Sequence, residues 1–88
     1  MAYLLATYDL VRNKDYKRLI DELERLGAHK ALLSVWLLDV GWTAKQACDH
    51  LSNFVDDDDK LMVVEFSKRP AFTRAFQGTN AWIEARFK

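Results

Sequence analysis

The chain has 88 residues, half of them apolar, with three tryptophans, one cysteine, and 13 basic residues balanced by 13 acidic ones. A chain of this size makes one small domain that buries only about 60–65% of its unfolded surface, and its surplus of apolar side chains favours a homodimer or other assembly. The charge balance excludes binding to nucleic acid or membrane through a global positive field, and the lone Cys48 excludes an internal disulfide and a cysteine metal cluster.

Ala2 to Tyr8 carries no charge and is rich in strand formers, which predicts a strand buried on both faces. Asp9 interrupts that run. A carboxylate at the end of a central strand is either a turn residue or a ligand, because a strand end is where a rigid sheet meets solvent. A short basic connection follows, and Asp15 is the expected N-cap of a helix whose apolar side is Tyr16, Leu19, Ile20, Leu23 and Leu26. Lys17, Arg18, Asp21, Glu22, Glu24 and Arg25 then fall on the wet side, and Gly27 is the expected stop.

The second apolar run, Ala28 to Val40, is longer than one average strand. A bent strand accounts for it, as do two short strands joined near Trp36 to Asp39. Thr43 followed by Gln46 forms a capping box, so a second helix starts there, with Ala44, Ala47, Cys48, Leu51, Phe54 and Val55 as its apolar stripe. His50 falls on its polar side, and His29 reads as a surface or hinge residue after the first helix and not as a base. Cys48 and His50, two positions apart on a helix, cannot converge on one metal.

Asp56 to Asp59 break the second helix before a strand over Leu61 to Phe66. Four consecutive acids lack the alternating ligands and the bend glycine of a calcium loop, and like charges in a row read as a solvated turn. From Leu61 onward five basic residues face Glu65 and Glu84, a local excess of three. Pro70 can open a short helix through Phe76 that Gly78 ends. Asn80 to Phe87 fits either a strand or a helix. The aromatics interleaved with Arg74 and Arg86 suit base stacking, but apolar packing or a subunit interface is the more common use of such residues.

The order strand, helix, doubled strand, helix, strand predicts an α+β protein: a ferredoxin-like βαββαβ antiparallel sheet with two helices on one face, plus a C-terminal extension. Both sides of the first strand are apolar, so a second copy is expected to cover the other face. The core of the single domain is residues 2–66, and the tail 67–88 is a candidate dimer-stabilising element. With no signal-peptide pattern and no run as long as a membrane span, a soluble cytoplasmic protein with no membrane partner is expected.

Tyr8-Asp9 closing the first strand, Leu23 to Gly27 closing the first helix, Ser34-Val35-Trp36 in the second apolar run, and the acidic turn before the last strand resemble the CRISPR-associated protein 2 family and its relative, virulence-associated protein D. The likeness runs over residues 2–66 in order and spacing. It implies a ferredoxin-like homodimer in which Asp9 of both subunits approaches the two-fold axis. Some members are metal-dependent nucleases, and others are structural subunits of spacer-integrating complexes. Trp36 replaces the family's Phe, the tail has no counterpart, and the charge is less basic than a duplex-binding scaffold implies.

In the catalytic reading, paired Asp9 carboxylates hold Mg²⁺, which polarises a phosphate and activates water for cleavage of RNA or DNA. Arg12 and Lys14 hold phosphate beside the metal, and Arg69 and Arg74 guide the strand. The alternative is a non-catalytic dimeric scaffold that binds nucleic acid or a protein partner.

Overall fold

The computed structural model describes residues 2–11 and 13–87, without the side chains of residues 13–15. Its elements in chain order are β1 (Tyr3–Asp9), α1 (Asn13–Arg25), β2 (His29–Leu32), β3 (Val35–Leu38), α2 (Ala44–Leu51), β4 (Lys60–Phe66) and α3 (Thr79–Arg86), with a 3-10 turn over Ser52–Phe54. The four strands form one sheet in the order β2-β3-β1-β4. All three neighbouring pairs are antiparallel. β1 therefore runs parallel to β2 with β3 between them, and β3 parallel to β4 with β1 between them. Two split βαβ units interlock, and that is the ferredoxin-like βαββαβ arrangement.

The period-2 alternation of β1 sorts its side chains between two cores. Leu4, Ala6 and Tyr8 point to one face and meet Trp36 and Leu38 of β3, Leu19 and Leu23 of α1, and Ala47 and Leu51 of α2. Both of these helices thus share one face. Tyr8 and Trp36 carry polar atoms into this core, and the indole Nε1 donates to the Tyr8 hydroxyl at 3.0 Å. That bond removes the penalty of burying an unpaired N–H.

The helices end where local chemistry demands. α1 stops in a Schellman motif, with Ala28 N donating to Leu23 O and Gly27 N to Glu24 O, each at 3.0 Å. Gly27 takes φ of 74°, which other residues adopt only with strain. The Thr43 hydroxyl accepts from Gln46 N while the Gln46 side chain accepts from Thr43 N, which completes the capping box at the start of α2. The expected cap of α1 at Asp15 does not hold: the helix already runs from Asn13, and the Asp15 side chain lies outside the described residues.

The run over Ala28 to Val40 is two strands, as one of the alternatives required, but they join at Leu33-Ser34 and not near Trp36 to Asp39. The register requires it, because Thr7 to Leu4 on β1 pair with Val35 to Leu38 and so place Trp36 inside a strand. A bulge between Lys30 and Leu32 absorbs the mismatch in the hairpin.

The opposite face of the sheet departs most from expectation. Residues 70–76 form no helix, and Gly78 precedes a helix instead of ending one. α3 resolves the ambiguity at 80–87 and packs Trp82 and Ile83 on Tyr3, Ala31 and Leu37. Tyr3 meets Trp82 edge-on at 5.6 Å between ring centres, and Phe87 stacks near Phe66 at 6.1 Å. The chain's own tail therefore covers the end of the face that a second copy was expected to cover. Among the described residues, no helix packs over the half of that face around Thr7, Met62 and Val64, and Met62 is 62% exposed.

Candidate functional site

Asp9 ends β1 opposite Lys60, the first residue of β4. By the alternation of the strands, Thr7, Asp9, Lys60 and Met62 all point to the uncovered half-face, and they line a shallow hollow there with Tyr8 and Leu61. Asp9 is exposed. It is a carboxylate on a rigid support with solvent in front of it.

The acidic turn lies at the same end of the molecule and is more than a solvated loop. Asp59 takes two backbone donors, Val11 N on Oδ1 at 2.7 Å and Asp56 N on Oδ2 at 2.8 Å. Asp56 receives Arg18 at 3.3 Å, so the turn is fastened both to the connection after β1 and to α1. A half-buried carboxylate that accepts two N–H groups does the work of a missing backbone partner. This is why Asp56 and Asp59 are half-buried while Asp57 and Asp58 face solvent. Carboxylate oxygens of Asp56, Asp58 and Asp59 lie within 4.8 Å of one another, and Asp9 is not one of this group. Oxygen ligands of this kind suit Mg²⁺ or Ca²⁺, although Asp59 is already engaged by two N–H groups and Asp56 by Arg18.

The basic residues expected to hold phosphate fare differently. Arg12 and the side chain of Lys14 lie outside the described residues. Arg69 is spent inside the fold, donating to Glu84 at 2.8 Å and to Phe87 O at 3.0 Å, which ties the segment after β4 to the end of α3. Arg86 is similarly committed to Asp39 at 2.9 Å and lies over the Trp82 ring at 4.0 Å. Arg74 is exposed and makes no ion pair with a described residue. Asp9 and Arg74 are therefore not brought together: Asp9 lies beside Lys60, and Arg74 lines a hollow with Ala31 and Leu32 at the β2 edge.

A second polar cluster escaped the sequence reading. Glu22, placed there on the wet side of α1, is only 6% exposed. Arg25 donates to both of its oxygens at 2.7 and 2.6 Å, and His50 Nε2 lies 2.5 Å from Oε2. These contacts, the Arg25 hydrogen bonds first and the His50 bond next, hold the Glu22 carboxyl below its ordinary 4.5, at about 2, against a burial effect of opposite sign. Glu22 is thus ionised at neutral pH and can only accept, so His50 Nε2 carries the proton. The imidazole sits between Trp42 and Phe54, 4.9 and 5.4 Å from their ring centres. The signal was present in the spacing, since Glu22 lies three residues after Leu19 and four before Leu26, on the margin of the apolar stripe. His50 stands in the same relation to Ala47 and Phe54.

Fold and site together define a small α+β ferredoxin-like protein with an acidic strand end beside an uncovered half-face. No family model matches the chain, and no solved structure matches it. Among the described residues, no helix is long and apolar enough to cross a membrane.

Proposed function

We propose that the chain acts as a homodimeric, Mg²⁺-dependent endonuclease on RNA or DNA, with Asp9 of two copies sharing the cation. One observation carries this reading: Asp9 stands at the rim of the half-face that α3 leaves uncovered, beside the exposed apolar side chains of Met62 and Val64. A copy docked there across a two-fold axis that passes close to Asp9 brings the second Asp9 beside the first. Two carboxylates completed by water and substrate phosphate match the sparse protein ligation that Mg²⁺ accepts. The ion supplies charge for a phosphate oxygen and lowers the pKa of an attacking water. Lys60, opposite Asp9 on the same face, is placed to neutralise a neighbouring phosphate. The resemblance to the CRISPR-associated protein 2 family supports the same assignment of Asp9.

The test is Asp9→Asn, which removes one charge per subunit at an exposed site and leaves packing alone. We expect Mg²⁺-dependent cleavage to disappear while the sedimentation of the protein stays unchanged. Equal cleavage by the variant, or none by wild type freed of contaminating nuclease, overturns the reading. A second reading, the non-catalytic dimeric scaffold, is favoured by a specific observation: Arg69 is consumed by Glu84 and Phe87, and the aspartates of the turn are partly consumed by backbone and Arg18. It expects nucleic-acid or protein binding by wild type and by Asp9→Asn alike, without cutting.

A further inference from the structure

The segment that joins β4 to α3 does not lie flat on the sheet. Between residues 70–75 and the sheet face a cavity of about 320 Å³ remains, at the lower end of the range in which small ligands are held. Leu5, Val35 and Leu37 form its floor, and Phe72 and Ile83 stand in its walls. Its lining is predominantly apolar, but Arg74 belongs to it as well. The same Arg74 lines an adjoining hollow against Leu33 and Phe76, so its side chain stands where the two spaces meet.

Two features separate this space from a flat docking face. Sheet residues and the segment after β4 line it from two sides, so it is a half-open cleft within one chain, which suits a small molecule. Its one charged side chain also has no ion-pair partner among the described residues, while Arg69 and Arg86, in the same tail, are both paired. A guanidinium at the margin of an apolar slot complements a carboxylate on an apolar body, because the fork of N–H groups takes both carboxylate oxygens while the hydrocarbon leaves water. We propose that this slot binds a small apolar monocarboxylate, with the head group on Arg74 and the hydrocarbon or aromatic body over Leu5, Val35 and Leu37. The site is separate from Asp9 and does not depend on the nuclease reading.

The probes are octanoate and octan-1-ol, each titrated calorimetrically into the full-length protein. Octanoate is expected to bind more tightly than the alcohol. Arg74→Gln, an exposed change that leaves the fold intact, should weaken octanoate about tenfold and leave octanol unchanged, as expected for loss of a charge-assisted hydrogen-bonded pair near solvent. Ala71→Trp, at an exposed position of the cover, should block both. No octanoate binding by wild type, equal affinity for acid and alcohol, or undiminished octanoate binding by either folded variant overturns the proposal.

Discussion

Glu22 shows how one side chain can be misplaced by a helical wheel and still be legible on it. Its carboxylate is buried between two helices and is tolerable there only because Arg25 and His50 satisfy it. With a folded pKa of about 2 against an ordinary 4.5, the group contributes stability that is fully present above pH 4.5 and is lost as pH falls toward 2. Glu22→Gln should therefore cost about 2 kcal/mol at pH 7, the range of a hydrogen bond to a charged group. Denaturant titration of both proteins should show that gap narrowing below pH 4.5 and closing near pH 2. A gap independent of pH would mean that the loss comes from packing and not from charge. At this scale Leu19, Leu23 and Thr43 were readable, because apolar period and capping chemistry are local. The partner of Glu22 was not, since His50 is 28 positions away and only the packing of α1 on α2 brings it close.

Among elements, α3 depends on a junction that no single residue announces. The Thr79 hydroxyl donates to Phe76 O at 2.7 Å, so it accepts from His29 Nε2, also at 2.7 Å, and fixes the proton on that nitrogen. Burial first, and the nearby Arg86 charge second, push the His29 pKa down, which keeps the ring neutral in this junction. Gly78 occupies the position before the helix with φ of 94°, and an added Cβ would meet His29 Cε1 at 3.3 Å. Gly78→Ala should destabilise the protein by about 1–2 kcal/mol through the left-handed backbone alone, with Tm falling by roughly 5–10 °C. Gly41→Ala is the control: nothing lies within 4 Å of its added Cβ, so a change within about 0.5 kcal/mol is expected in the same thermal melt. The four strands and two helices of residues 2–66 were foreseeable in their order from apolar runs and turn signals, except that the second run was equally readable as one bent strand. The tail was not, because Pro70 and Gly78 are compatible with a helix between them, whereas the observed path is set by Phe76 N donating to Ala31 O across the edge of β2.

For the whole molecule, the choice among interfaces is also a choice among chemistries. The β2 edge is capped by that Phe76 bond, while β4 is a seven-residue edge strand with no further strand among the described residues beyond it. Antiparallel pairing of two β4 edges about an axis normal to the sheet, centred on Val63, would set Lys60 against Phe66 of the partner subunit. The Asp9 end of one copy would then lie beside the Tyr3 end of the other, and the two carboxylates would stand apart by more than about 20 Å, the length of such a strand. Docking through the uncovered half-face, about an axis close to Asp9, does the reverse and brings them together. Met62 separates the two arrangements, since its side chain belongs to that face while its backbone alone would serve the edge. We expect wild type to sediment as a dimer and Met62→Lys, a charge placed in the apolar contact of both subunits, to sediment as the 10.3 kDa monomer with unchanged circular dichroism. A Met62→Lys protein that remains dimeric would assign the contact to the β4 edge and remove the physical basis for a shared Asp9 site. A wild type that is monomeric would remove it as well, since a single Asp9 carboxylate supplies too few ligands at that strand end to retain Mg²⁺.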